Sequence, residues 1–209
     1  MGSQQSIIKA LLQPAFYLFG TPTSWAECVG SLSGILMVFC NLRLWTAAWP
    51  LSILSSLSYL LVFLDSHIYG NASLQLLFIV MAIWGWWQWL RGKSDGQRLV
   101  VRPLPRRGRL LVVCAGIVLW PVVGWTLAHS TETDVPYWDA FPTAGSLLGQ
   151  FLLARKHIEN WPVWLAVNVV AMALFAYRGL WFTVGLYGLF AVLALAGWRS
   201  WLKQAHAYG

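Results

Sequence analysis

Long apolar stretches separated by short polar breaks dominate the chain. Seven of them, roughly 24–41, 44–64, 68–90, 109–128, 138–154, 159–176 and 180–201, approach the ~20 apolar helical residues that a bilayer core requires. Most of the breaks are brief: Arg43, then Asp65-Ser66-His67, then Arg155-Lys156-His157, then Arg178-Gly179. Such short connections make neighbouring helices antiparallel. The first 23 residues differ. Ile7, Ile8, Leu11, Leu12, Ala15 and Phe16 recur at helical spacing, and Pro14 interrupts them. No basic stretch and small-residue cleavage site mark a signal peptide. The segment is expected to lie along the membrane interface, with an eighth, poorly formed span as the alternative.

The pattern repeats. A shift of 112 residues places Trp49-Pro50 on Trp161-Pro162, and Gly85-Trp86 with Trp89-Leu90 on Gly197-Trp198 with Trp201-Leu202. Arg43 lands on Arg155, Phe63 on Phe175, Phe78 on Phe190, and Glu27 on Asp139. From Leu36 to Arg91 the halves agree at 15 of 56 positions without a gap, well above what so apolar a composition produces by accident. The repeated unit holds three helices, an odd number. A directly fused second copy would face the opposite way, and the unmatched helix at 109–128 restores the direction. The expected fold is therefore an all-α polytopic membrane protein, seven transmembrane helices in a 3+1+3 arrangement of parallel repeats. Parallel repeats place a solute path between the bundles. The expected organisation is an interfacial segment (1–23), a first three-helix bundle (24–91), a basic cytoplasmic linker with the connecting helix and an outer loop (92–136), a second bundle (137–203) and a cytoplasmic tail (204–209).

Composition narrows the class. Of 209 residues, 58% are hydrophobic and 10% charged, which excludes a disordered chain and leaves too little charge for a water-facing globule. The net charge of +7 does not point to nucleic acid, because of where the charges fall. With the N-terminus outside, 12 of the 14 Lys and Arg lie on the cytoplasmic side, seven of them between Arg91 and Arg109. Only Lys9 and Arg178 lie outside, together with Glu27, Asp65, Glu132, Asp134 and Asp139. That is the positive-inside pattern, with the C-terminus cytoplasmic. Cys28, Cys40 and Cys114 have no paired spacing and read as small apolar packing residues.

Polar groups deep in apolar spans carry the functional information, because lipid does not satisfy them. Gln150 stands well inside the fifth span. Trp161, Trp164 and Asn168 share one helix face in the sixth. Tyr187 sits in the middle of the seventh span, and its repeat mate is Gln75 in the third. These six are the candidate solute-binding residues, and Glu27 and Asp139 are candidates for an acidic outer entrance. The bland alternatives are interhelical hydrogen bonding for the amides and an interfacial belt for the tryptophans. The belt is the expectation for Trp84, Trp86, Trp87, Trp89, Trp198 and Trp201. Glu159 is expected to pair with Arg155 and Lys156, and His67, His129, His157 and His206 to be solvated. No carboxylate, Lys or Arg lies in mid-span, so facilitated passage is expected over ion-coupled pumping. No nucleophile–base pair, metal-ligand cluster or phosphate-cradling glycine loop is present, so neither enzymatic activity nor a cofactor is expected. Aromatic faces with neutral amides suit a flat, non-anionic solute.

These residues resemble a known family. Arg155-Lys156 with Glu159-Asn160-Trp161, Trp164 and Asn168 is similar to the R-K-x-x-E-N-W-x-x-W…N signature of the PnuC vitamin transporters. Ser24-Trp25-Ala26-Glu27-Cys28-Val29-Gly30, Pro136-Tyr137-Trp138-Asp139, Ser73-Leu74-Gln75 and Trp84-Gly85-Trp86 resemble other segments of that family. The resemblance runs from about Ser24 to Trp201. It implies a SWEET-like fold in a bacterial inner membrane and import of nicotinamide riboside by facilitated diffusion, with trapping by a cytoplasmic kinase. It carries the tryptophan pair onto Trp161 and Trp164, with Asn168 and Gln150 as polar companions and Gln75 and Tyr187 following more loosely. A thiamine or other vitamin permease is the alternative within the family. A non-transporting membrane scaffold or sensor is the alternative outside it. A homo-oligomer is compatible with either.

Overall fold

A computed structural model describes residues 2–18, 21–67, 69–94, 100–131 and 133–207. Arg98 and Glu132, counted above in the charge distribution, lie outside the described residues, as does Ile68, expected to open the third span. The chain forms α1 (Gly2–Leu12), β1 (Pro14–Leu18), β2 (Thr21–Ser24), α2 (Trp25–Leu42), α3 (Ala48–Asp65), α4 (Tyr69–Ser94), α5 (Arg106–Ser130), α6 (Pro136–Ala154), α7 (Asn160–Tyr177) and α8 (Trp181–Ala207). The sequence did not announce the antiparallel β1–β2 hairpin. Pro14 lacks the N–H that would extend α1, and the β-branched and aromatic residues after it favour extended backbone.

Among the described residues, six helical segments are long and apolar enough to cross a membrane: Trp25–Leu42, Ala48–Asp65, Asn71–Arg91, Arg106–Ser130, Asn160–Tyr177 and Thr183–His206. The chain is thus a multi-pass, all-α membrane protein. The expectation of a seventh span on α6 does not meet the same standard. That helix has 19 residues, about 28 Å of rise, so its length suffices. Its composition does not, because Asp139, Thr143, Ser146 and Gln150 form a polar stripe along one face.

The two halves share their turns but not their first cap, since α6 opens on Pro136 with no side-chain cap. Ser24 caps α2 through a reciprocal box. Its Oγ accepts from the Glu27 N–H at 3.2 Å, while the Glu27 carboxylate accepts from the Ser24 N–H at 2.7 Å. α2 and α6 end in left-handed residues 112 positions apart, Leu44 at φ 56° and Lys156 at φ 54°. Two hydrogen bonds of each turn correspond. Trp45 N–H donates to Cys40 O as His157 N–H does to Leu152 O, and Leu44 N–H to Asn41 O as Lys156 N–H does to Leu153 O. These are helix-ending αL turns that reverse the chain. The α3 and α7 ends match likewise, with His67 at φ 60° and Gly179 at φ 72°.

Within each half, consecutive helices pack together: α2 on α3 and α3 on α4, then α6 on α7 and α7 on α8. Between halves, α4 packs on α6 and α2 on α8, contacts that exchange under the 112-residue shift. Each half also carries the same aromatic lock. Trp49 lies edge-on to Trp89 with centroids 5.3 Å apart, and Trp161 lies edge-on to Trp201 at 5.5 Å. Gly85 and Gly197 permit this, since a Cβ there would fall 2.1 Å and 2.4 Å from the respective tryptophan ring. Trp89 and Trp201 are 1% and 0% exposed, so the expected interfacial belt is wrong for both. Burying two large rings beside a glycine outweighs placing them at the headgroups. α5 packs mainly on α6, and its outward face is apolar.

Candidate functional site

A cavity of about 920 Å³ lies between the two halves. All six candidate residues line it. Gln75 comes from α4, Gln150 from α6, Trp161, Trp164 and Asn168 from α7, and Tyr187 from α8. The α7 trio share a face because i, i+3 and i+7 fall on one side of a helix. Trp164 is seated over Gly149, where a Cβ would come within 2.9 Å of the indole. Gln150 and Asn168 are buried, and burying such amides is costly unless something meets their polar atoms. Phe175 lies 5.1 Å from Tyr187, and Tyr187 meets Phe190 edge-on at 6.1 Å, extending the aromatic wall away from Trp164.

The entrance differs from expectation. Asp139 lines the cavity, but Arg178 Nη2 donates to its Oδ2 at 2.7 Å, and the Thr133 hydroxyl donates to the same oxygen. This carboxylate is neutralised rather than free to attract a cation. Glu27 does not line the cavity at all. It faces a separate small hollow with Asp65 and Ser66, and its carboxylate is spent on the α2 cap. Among the described residues lining the cavity, Asp139 and Arg178 are the only charged side chains.

The opposite end is braced by the linker. Glu159 pairs with Arg109, Nε to Oε1 at 2.9 Å, and both its carboxylate oxygens lie 3.0 Å from the Leu104 N–H. The expected pairing of Glu159 with Arg155 and Lys156 is therefore replaced by an anchor onto a segment fifty residues distant. Arg102 bridges the same turn: its N–H donates to Lys156 O, and Ile158 N–H donates to Arg102 O. His157 is buried in this turn, not solvated as expected. Burial, helped by Arg102 and Arg155, holds its imidazole below the usual range, although the Arg102 carbonyl and Glu159 oppose the shift. Lys156 lays its ammonium 4.5 Å from the Trp89 ring centre.

Sequence reasoning passed over several lining residues. Asp139, Thr143, Ser146 and Gln150 recur at helical spacing, a signal from which only the two ends were drawn. Asn41, Asn160, Phe63 and Phe175 also line the cavity. Asn41 and Asn160 sit at helix ends, where an amide looks like an ordinary turn residue.

Comparison with known proteins places these features in context. The nicotinamide mononucleotide transporter family matches residues 24–203. The nicotinamide riboside transporter PnuC of Escherichia coli K12 is 26% identical over 215 residues, covering 91% of this chain and 90% of that one. The riboflavin/roseoflavin transporter RibM of Streptomyces davaonensis is 30% identical over 193 residues, covering 90% of this chain and 89% of the relative. A crystal structure of the vitamin B3 transporter PnuC superposes with a TM-score of 0.72 at 23% identity, covering 88% of this chain and 83% of that one.

Proposed function

The chain belongs to the PnuC family of vitamin transporters, and from that premise we propose that it carries nicotinamide riboside across the bacterial inner membrane by facilitated diffusion. A cytoplasmic kinase would then trap the solute as a phosphate. The observation that carries this reading is the lining of the cavity, where Trp161, Trp164, Phe175 and Tyr187 share the wall with the amides of Gln75, Gln150 and Asn168. Aromatic faces attract a flat pyridinium ring, and amides serve hydroxyls and a carboxamide. The volume of about 920 Å³ lies within the range of small-molecule sites.

Facilitated passage is supported by the charges. A proton-coupled carrier needs an ionisable group that changes state in the membrane. The lining offers Asp139 and Arg178, and these neutralise each other. In this reading α2–α4 and α6–α8 are two parallel bundles and α5 joins them, so that seven spans put the N-terminus outside and the C-terminus inside. The correspondence of the turns at Leu44 and Lys156 supports it. Reporter fusions at both ends check the orientation, and termini on the same side would refute it.

A second reading is import of riboflavin, favoured by the 30% identity to a riboflavin/roseoflavin transporter. Thiamine is a third solute with a flat cationic ring. Titration calorimetry of the purified protein with nicotinamide riboside, riboflavin and thiamine separates them. Saturable binding of nicotinamide riboside alone is expected. Binding of riboflavin or thiamine alone would replace the first choice, and binding of none would favour a scaffold or sensor.

A further inference from the structure

Two carboxamides at one end of the cavity are buried with their side-chain oxygens unpaired. Asn41 stands in the last turn of α2 and Asn160 opens α7, and both line the cavity. They are 4% and 0% exposed, and the Oδ1 of each has no hydrogen-bond partner. They flank one structural unit. The Trp201 Nε1–H donates to the Asn41 backbone oxygen at 3.0 Å, and Trp201 lies edge-on to Trp161, the residue after Asn160. Asn160 is also oriented, since its Nδ2 donates to His157 O at 2.6 Å and leaves Oδ1 over.

The repeat shows that the fold does not need these amides. The residue corresponding to Asn41 is Leu153, and that corresponding to Asn160 is Ala48. Equivalent turns and tryptophan locks form around those apolar mates. A buried unpaired amide oxygen is costly and calls for an explanation. The Nε1 atoms of Trp49, Trp89 and Trp161 are also unpaired, but all three belong to the tryptophan locks, packed ring against ring. The two asparagines lie outside the ring pairs, and their repeat mates are apolar.

We propose that Asn41 and Asn160 form a polar subsite for the vicinal hydroxyls of a sugar-derived group, ribosyl or ribityl, on a solute whose ring lies toward Trp164. This rests on the transporter reading above. Hydroxyls donate and accept, so they serve these carboxamides in whichever orientation the amides adopt. Trp161 is the aromatic residue beside this end, and Trp164, Phe175, Tyr187 and Phe190 lie elsewhere along α7 and α8, which leaves room here for the non-aromatic part of the solute.

The test uses ligands with and without the polyol on full-length protein in detergent. Nicotinamide riboside is compared with N-methylnicotinamide, and riboflavin with lumiflavin, which separates a ribosyl from a ribityl source. Asn41→Leu and Asn160→Ala install the residue of the other half. Each is expected to weaken binding of the polyol-bearing ligand by about tenfold or more and to leave the ring-only analogue unchanged. Wild-type affinity for the polyol ligand, or equal loss for both ligands, would overturn the subsite. Should a variant not fold, the 2′,3′-dideoxy riboside on the wild-type protein replaces it, and affinity equal to that of the riboside would overturn the subsite. Failure of the wild-type chain to bind any vitamin refutes the transporter reading and this site with it. A wild-type chain that binds while the variants are unaffected refutes this site alone.

Discussion

A matched pair of glycine substitutions separates architecture from recognition. A Cβ placed on Gly197 falls 2.4–2.5 Å from three ring carbons of Trp161, and one placed on Gly85 falls 2.1–2.8 Å from three of Trp49. Carbon atoms in ordinary contact stand about 3.5–4.0 Å apart, so each ring must retreat by about 1 Å. Neither has an easy route, because Trp201 and Trp89 lie edge-on against them. Overpacking of this kind costs about 1–3 kcal/mol. Gly197→Ala and Gly85→Ala are therefore expected to lower thermal stability in detergent by similar amounts. Their effects on binding diverge, because Trp161 lines the cavity and Trp49 does not. Gly197→Ala is expected to weaken binding of nicotinamide riboside by about tenfold, some 1.4 kcal/mol, by calorimetry. Gly85→Ala is expected to stay within about twofold of wild type once the protein is confirmed to be folded. Equal loss in both variants, or wild-type binding by Gly197→Ala, would refute the assignment of Trp161 to the solute wall.

Trp164→Ala is expected to cost about 1–3 kcal/mol of binding through loss of a stacked ring, whereas Trp89→Phe alters stability and leaves affinity unchanged. The reverse pattern in a titration would move the site elsewhere. Glu159→Ala removes the acceptor of both Arg109 and the Leu104 N–H, so trypsin is expected to cut after Arg106 and Arg107 several-fold faster, and an unchanged digestion rate would show that the linker is held by other contacts. His157 is depressed below 6.5 in the fold by burial, with Arg102 and Arg155 adding to the shift and Glu159 opposing it. The unfolded chain therefore takes up the proton first. Stability is expected to be full above about pH 6.5 and to fall as the pH drops toward the folded value. His157→Gln should flatten that slope in melting curves at about pH 7.5 and 5.5, and an equally steep slope in the variant would place the titrating group elsewhere.

The helices were legible because apolar runs and short polar breaks are written directly into the sequence. So was the repeat, which reappears in matching left-handed turns at Leu44 and Lys156. The six candidate wall residues converged because polar groups in lipid-facing spans have few places to go. Contacts between distant segments were not legible. Glu159 has two basic neighbours in sequence, yet its partner is Arg109, brought to it by a linker whose path no local pattern encodes. Trp89 and Trp201 looked interfacial because they stand beside charges, and the glycines that admit their partner rings became meaningful only once the helices were packed. Glu27 and Asp139 correspond in the repeat but not in use. Arg178 neutralises one, and the backbone of α2 occupies the other.

The exchange symmetry of the α4–α6 and α2–α8 contacts bears on how a solute can lie between them. A shell with two equivalent halves and an identical lining would accept an elongated molecule in two reversed poses. Here the shell is duplicated and the lining is not: Trp164 corresponds to Ser52 in the other copy, Asn168 to Ser56, and Asn41 to Leu153. The degeneracy is lifted, and a lopsided vitamin is offered a single heading.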